Sequence, residues 1–508
     1  MTAQTRSCAV VGVEAVEVLV EAQVIPALRR FSIVGLPDSA LRESKDRVRC
    51  AVENSGFSFP NREVVVSLAP ASLPKHGSHL DLAIAVSILA ADGQLPEDAA
   101  KDFLLIGELA LNGSLQYTGS SLAAAHLVKK SNLNGLILPR ANAALAAALE
   151  DIKLYPAQLL GEVIAILKER TPPPRVNSMP LSTTPMTGPS YRDVYGQSAA
   201  KRVLEISAAG GHNVLLTGPP GSGKSMLAER LPSIMPPLSK DCAIEVALIR
   251  EASHLKSQGL SAAPPFRAPH HSTSTAGLIG GGSRPRPGEV SLAHRGVLFL
   301  DELPEFRRDA LEALRTPLER STVSISRANV CTSFPARFLL IAAMNPCPCG
   351  YFGTKGGRCT CLPTEIAKYC AKVSGPLMDR IDLNVWVPPL PPTALAKIPR
   401  TQAVDETPEM RRRVLGARAR QRERFRSSSY LNSTMSSDQL KSLAQTSPQS
   451  QKLIEQAAYT AALSARGFTR ALKVARTIAD LEESETIEPP HMQEALSYRL
   501  PRGVTGPK

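Results

Sequence analysis

Residues 213–225 read Asn-Val-Leu-Leu-Thr-Gly-Pro-Pro-Gly-Ser-Gly-Lys-Ser and run on into the helical stretch MLAERL. An apolar run, a loop of the form G-x-x-x-x-G-K-S and a helix leave few folds open, because such a unit belongs to a parallel sheet with crossover helices. Each residue type has a phosphate-directed reason. Gly218, Gly221 and Gly223 let the backbone curl until its N–H groups face one point, with Pro219, Pro220 and Ser222 completing the loop. Lys224 adds a point charge at the β- and γ-phosphates. Ser225 offers a hydroxyl to Mg²⁺, and Met226 follows on the helix. ATP and Mg²⁺ are the expected cofactors.

Two further apolar runs end in polar residues. Gly296-Val-Leu-Phe-Leu precedes Asp301-Glu302. Acids at the mouth of a parallel sheet sit where ligands bind, so Asp301 suits Mg²⁺ through water and Glu302 suits polarising an attacking water. Two solvated acids capping a helix would look the same. Leu339-Leu-Ile-Ala-Ala-Met ends at Asn345. Its amide can hold the water against the γ-phosphate, or simply form an Asn-Pro turn.

The 508 residues suggest about three domains. Six prolines in 170–190 and five in 388–400 mark the boundaries. The expected division is 1–168, a linker at 169–189, a P-loop domain at 190–388 and a C-terminal domain at 389–508. The first mixes β-rich runs (VEVLVEAQV, REVVVSLAP, GLILP) with helical ones and reads as α+β. The second alternates strands and helices, and the last reads as helical. With 43% hydrophobic and 21% charged residues the chain is not a disordered one. It has no apolar run long enough to cross a membrane and no signal-peptide pattern, so a cytoplasmic location is expected. The net charge of +13 suits a polyanion partner, nucleic acid above all, and equally suits ordinary basic solubility. Five of nine cysteines fall between Cys347 and Cys370, which in that compartment points to metal rather than disulfides.

These elements in this order resemble the AAA+ ATPases. PFRAPHHSTSTAGLIGGGSRPRPGEVSLAHRGVLFLDELPEF (265–306) and NPCPCGYFG (345–353) narrow the likeness to the magnesium-chelatase-like ATPases, and nearly the whole chain resembles their ComM (YifB) family. The resemblance implies a multidomain α/β architecture: an AAA+ core, a Lon-protease-like N-terminal domain and a C-terminal helical lid. It implies a ring homo-oligomer, usually a hexamer. By position, Arg380 in SGPLMDRIDL would be an arginine finger reaching the neighbouring subunit's ATP, where a fixed cationic fork suits spread phosphoryl charge. Arg470 would be the sensor arginine of the helical domain, with Arg466 four residues earlier as the other choice.

LPKHGSHLDLAIAVSILAADG (73–93) and GELALNGSLQYTGSSLAAA (107–125) resemble the Lon protease domain. His79 falls where its serine nucleophile would be, with Ser78 adjacent, and Leu122 falls where its lysine base would be. Lys75 and Lys129 are off pattern, and His76 replaces the family's usual acid. A serine without a base in reach does not hydrolyse peptides, so a non-proteolytic scaffold or DNA-contacting collar is expected.

Cys347, Cys349, Cys359 and Cys361 come from two C-x-C turns, and four thiolates can make a tetrahedral Zn²⁺ site. Cys370 would be a spare ligand. Three segments could meet a polyanion. Residues 397–430 carry ten Lys+Arg against four acids, which would make binding salt-dependent; a solvated helix face is the alternative. His270, His271, Arg284 and Arg286 flank a glycine-rich turn. Residues 319–338 read as a β-hairpin with Arg320 and Arg327 flanking its tip. Aromatic platforms are few, so contacts would be backbone-directed. The expected function is a DNA motor for unwinding and branch migration in natural transformation or recombination, with recombination proteins as further partners. A metal-chelatase ATPase subunit and a protein-remodelling ATPase are the alternatives.

Overall fold

The computed structural model describes residues 2–182, 189–253, 255, 259–282, 285–327, 330–354, 358–389, 405–427, 430–460 and 464–499. Contacts divide the chain into two compact units. The first is Met1–Ser182 with Ser239–Ser261 and Ala328–Phe334; the second is Thr183–Leu238, Ala262–Arg327 and Pro335–Lys508. Arg284 and residues 397–404 lie outside the described residues.

The first unit is built on a seven-stranded sheet in the order Arg30–Val34, Glu63–Ala69, Glu14–Ile25, Thr2–Val11, Phe103–Leu105, Gly135–Pro139, Leu154–Ala157. The helix Asp81–Ala91 lies against the strands Glu14–Ile25 and Thr2–Val11 with every residue buried. Its sequence, DLAIAVSILAA, is apolar nearly all round, which only a helix inside a core tolerates. The polar exception, Asp81, accepts hydrogen bonds from Ser44 Oγ and from Arg47 Nε at 2.9 Å. Burial pushes its carboxyl up to about 6, against the pull of Arg47 and Ser44.

The helix Lys240–Ala252 lies in the stretch that the prolines assigned to the middle of the chain, yet its contacts belong to this first unit. Glu251 anchors it. Its carboxylate accepts from Ser121 Oγ at 2.7 Å and Leu122 N at 3.1 Å. Burial pushes that carboxyl up to about 7. No hydrophobic periodicity announces such an anchor.

The second unit holds a five-stranded, all-parallel sheet in the order Phe266–Arg267, Val297–Leu300, Leu339–Met344, Val214–Thr217, Leu383–Trp386. The three middle strands are buried almost throughout, as strands covered on both faces must be. Thr217 pairs with Met344 and Leu300 with Ala342, so their carboxyl ends open on one edge. The C-terminal helices do not carry a core of their own. Met410, Val414 and Ala417 of Thr407–Phe425 and Val474 and Ile478 of Ala465–Leu481 join Val203, Leu204 and Leu216 in a single apolar cluster. The helix Ser198–Gly210 is the shared wall. Proline content marked a chain boundary at 388–400, but the apolar faces on either side of it are complementary and merge.

Ser464 caps the helix Ala465–Leu481 by accepting from Gly467 N. Residues 464–467, Ser-Ala-Arg-Gly, thus open this helix. The hairpin expected at 319–338 forms from Thr322–Arg327 and Val330–Pro335. Arg320 is not at its tip. It ends the helix Arg315–Arg320, at the base where Ala336 N bonds Ser321 O at 2.8 Å.

Candidate nucleotide site and cysteine centre

The loop 218–223 leaves the strand Val214–Thr217 at the open edge of the parallel sheet. Gly221 and Gly223 take φ of +73° and +89°, the left-handed region that the curl of the loop needs. Gly218 is required for another reason: a Cβ there would stand 2.2 Å from Val387 O. Lys224 is buried and its Nζ donates to Gly218 O at 2.8 Å, Pro219 O at 3.0 Å and Asn345 Oδ1 at 3.2 Å. Burial lowers its pKa, while Asp301 and Glu302 raise it. Ser225 Oγ donates to Asp301 Oδ2 at 2.6 Å, and Asp301 Oδ1 accepts from Glu302 N at 2.9 Å. Met226 is exposed beside them.

Residues from three separate runs thus meet at the ends of three neighbouring strands. A hydroxyl beside a carboxylate is a donor set that suits a hard divalent cation. The loop also fits a phosphate ligand on an internal observation: Ser222 Oγ is buried within it with no hydrogen-bond partner among the described residues. An orphaned hydroxyl among inward-curling N–H groups is ready to donate to an anion.

Two neighbours were not assigned to this site by the sequence. Gln197 Nε2 donates to Ser222 O at 3.2 Å and Pro388 O at 2.7 Å, tying the loop to the start of the unit. His271, set above among polyanion candidates, has its Nδ1 3.1 Å from Glu302 Oε2 and its ring against those of His270 and Phe306. Neither residue belongs to a spaced motif, so only the topology reveals them.

Arg380 is buried and folded onto its own chain. It pairs with Glu319 and donates to Pro376 O at 2.5 Å, while its Nε has no partner among the described residues. Arg470 Nη1 donates to Asp382 Oδ1 at 2.9 Å. Asp382 is held below the usual carboxylate range: burial opposes this, and His212 and Arg470 outweigh it. Arg466, one turn earlier on the same helix, is exposed.

Part of the arginine-rich run is consumed inside the unit. Arg413 pairs with Glu205, Arg420 with Glu483 and Arg424 with Asp480. Arg418 donates twice to Ala208 O, at 3.0 and 2.6 Å. Arg412 pairs with Glu409 on its own helix, and Arg422 and Arg426 are exposed. Four of the eight arginines in 411–426 (Arg413, Arg418, Arg420 and Arg424) thus fasten the helix Thr407–Phe425 to its neighbours, so only part of the run is left as an open cationic face.

In the first unit, Ser78 Oγ donates to Glu108, and His79 Nε2 lies 2.8 Å from Cys8 O. Leu122 is fully buried. Lys75 Nζ donates to the carbonyls of Leu68 and Pro70, and Lys129 Nζ to Glu150 O.

Beyond Asn345 the four cysteines converge. Their Sγ atoms all lie within 4.8 Å of one another, with Cys347–Cys349 at 3.3 Å, Cys349–Cys359 at 3.6 Å and Cys347–Cys359 at 3.8 Å. Thiolates about 2.3 Å from one tetrahedral ion stand about 3.8 Å apart, so the spacing fits a single metal. Backbone N–H groups of Phe352 and Cys349 point at Cys347 Sγ and Cys361 Sγ, at 3.3 and 3.4 Å. Cys370 lies outside the cluster.

Comparison with known proteins gives three family matches. Residues 190–395 match the model for magnesium chelatase, subunit ChlI. Residues 20–142 match that for subunit ChlI of Mg-chelatase, and 405–499 match the ChlI C-terminal model. A YifB protein of Salmonella typhimurium is 40% identical over 492 residues, covering 97% of this chain and 96% of the relative. Competence protein ComM of Haemophilus influenzae is 40% identical over 504 residues, with 97% and 96% covered. DNA replication licensing factor mcm-5 of Caenorhabditis elegans is 28% identical over 152 residues, 30% of this chain and 18% of that one.

Proposed function

The chain belongs to the ComM/YifB family of magnesium-chelatase-like proteins, and from that premise we propose that it is an ATP-driven AAA+ motor acting on DNA. An ATPase is what the family and the site support most directly. The observation that carries it is the pair of contacts Ser225–Asp301 at 2.6 Å and Lys224–Asn345 at 3.2 Å, made across three parallel strands. Gly218, Pro219, Pro220, Gly221, Ser222 and Gly223 cradle the phosphates. Lys224 leaves its carbonyl partners for them, and Met226 borders the nucleotide. Ser225 and Asp301 hold Mg²⁺, which supplies charge neutralisation at the phosphates. Glu302 polarises the attacking water, Asn345 positions it, and Arg470 senses the nucleotide.

In this reading Arg380 leaves Glu319 and acts on the ATP of the next subunit, which makes a ring, hexameric by family analogy, the working unit. The DNA assignment draws on the +13 charge, on a relative named as a competence protein and on the distant likeness to a replication licensing factor. The task is helicase-driven branch migration that integrates single-stranded DNA in natural transformation or recombination. Backbone-directed binding would act without sequence preference, alongside recombination proteins. The N-terminal domain (1–168) is a Lon-like, non-proteolytic collar, followed by the linker at 169–189, the AAA+ domain at 190–388 and a helical lid at 389–508. Cys347, Cys349, Cys359 and Cys361 hold zinc. Among the described residues no helix is long and apolar enough to cross a membrane, and a cytoplasmic location fits that reading. The second reading, an ATPase subunit of a metal chelatase, is favoured by the ChlI models that match 190–395 and 405–499.

ATP turnover measured with single-stranded, duplex and forked DNA at two salt concentrations tests the motor. Salt-sensitive stimulation, lost in Glu302→Gln, is expected. A Glu302-dependent basal rate that no DNA changes would sink the DNA assignment, and stimulation by a chelatase partner or by a peptide would replace it.

A further inference from the structure

The cysteine centre and the phosphate loop touch. Asn345, which accepts from Lys224 Nζ, is separated from Cys347 only by Pro346. Gly350 follows Cys349 directly and has φ of +86°. A Cβ at Gly350 would stand 2.7 and 2.8 Å from Cδ and Cγ of Pro220, so the backbone there lies on the phosphate loop itself. Gly350 N also bonds Cys347 O at 3.0 Å, closing the turn that supplies half of the thiolates. Cys347, the cysteine closest to Asn345 in sequence, is fully buried.

We propose that the metal held by Cys347, Cys349, Cys359 and Cys361 braces the nucleotide site. It fixes residues 345–350 against Pro220 and Lys224, so that metal and nucleotide each strengthen the binding of the other. This rests on the reading of 218–225 as a nucleotide site, and on neither DNA binding nor the ring. Four thiolates drawn to one ion pin the 347–349 turn to the 359–361 turn. Without that ion the first turn keeps its own Gly350 N–Cys347 O bond, but only sulfur contacts of 3.6 and 3.8 Å and an N–H···S bond tie it to the 359–361 turn, each far weaker than a metal–thiolate bond. Asn345 and Gly350 then lose their fixed position, and the loop loses the surface that Pro220 rests on. The pinned segment contains a residue that contacts Lys224, which a clamp serving only a distant nucleic acid would not need.

Coupling between two binding sites is reciprocal, so either ligand reports it. The first measurement is Zn²⁺ release from the full chain to a chromogenic chelator, with and without a non-hydrolysable ATP analogue and Mg²⁺. Nucleotide is expected to slow release about 5-fold or more. The second is the affinity for a fluorescent ATP analogue, read without turnover. Gly350→Ala should keep one zinc per chain yet bind the analogue about 10-fold more weakly; Cys361→Ser should lose both zinc and affinity; Cys370→Ser should lose neither. If Gly350→Ala does not fold, the wild-type release rates still decide. Equal release rates with and without nucleotide would overturn the brace. So would unchanged analogue affinity in metal-free chain, above all if DNA binding fell instead. Failure of the nucleotide reading shows differently: the wild type would not bind the analogue at all.

Discussion

Asp480 offers the sharpest test of how the C-terminal helices are held. It is fully buried, and its two oxygens accept from Arg424, from Arg476 Nε at 3.2 Å and from Asn432 Nδ2 at 2.8 Å. Arg476 is 1% exposed, and Arg424 also reaches Asn432 Oδ1 at 3.1 Å. In Asp480→Ala two guanidiniums face an uncompensated, nearly dry hole. Removing one partner of a buried ion pair costs about 3–5 kcal/mol. Arg476 keeps the carbonyls of Ser484 and Glu485 as acceptors, which favours the lower half of that range. At about 2–4 °C per kcal/mol for a unit of this size, the midpoint should fall by roughly 6–15 °C. Asp480→Asn keeps acceptor and shape and should cost less, while Arg422→Ala, on an exposed residue, should stay within about 0.5 kcal/mol. Urea titration and thermal melts followed by circular dichroism give the numbers. A loss below about 1 kcal/mol in a folded Asp480→Ala chain would refute the reasoning, and with it the structural role given to Arg424 and Arg476.

Lys224→Ala should abolish binding of a fluorescent ATP analogue, whereas Ser225→Ala should raise the Mg²⁺ concentration needed for half-maximal turnover; equal binding by Lys224→Ala would remove the phosphate reading. Arg380→Ala chains and Lys224→Ala chains, each inactive alone, should recover ATPase activity on mixing if the finger acts in trans, and no recovery at any ratio would place Arg380 in its own subunit's chemistry. Glu251 has a folded pKa near 7, raised by burial from 4.5. A carboxyl raised in this way contributes stability that is fully present below pH 4.5 and is lost as pH climbs through 7. At about 1.4 kcal/mol per unit, the loss is on the order of 3 kcal/mol. Glu251→Gln should therefore flatten the pH dependence of the first unit's denaturation midpoint between pH 5 and 8, and an identical slope in the variant would show that Glu251 is not titrating there.

Sequence patterning reached the strands and helices that bear the site because each depends on neighbours a few residues away. The buried runs 214–217, 297–300 and 339–344 are continuous in apolar character, and the loop after the first carries glycines where the backbone turns positive. The four cysteines were legible for the same reason, since two short turns bring thiolates together whatever surrounds them. The arginine-rich run was open to two readings because composition counts charges and not their partners. Five of those arginines are paired or bonded within the molecule. Arg320 was misplaced by a few residues because a helix end and a hairpin base look alike in a polar stretch.

What required the tertiary structure has one physical cause: each such contact joins residues far apart in the chain, and only the strand order decides which of them meet. His271 reaches Glu302 because their strands, Phe266–Arg267 and Val297–Leu300, are neighbours in the sheet. Glu251 meets Ser121 because a helix from the middle of the chain docks into the first unit. Asp480 gathers Arg424 because two C-terminal helices share the core that covers the parallel sheet. Gly350 rests on Pro220 because the strands that precede them lie side by side. The residues able to do phosphate chemistry are written in local order along the chain, while the contacts that hold and couple them arise from packing that no short window of sequence contains.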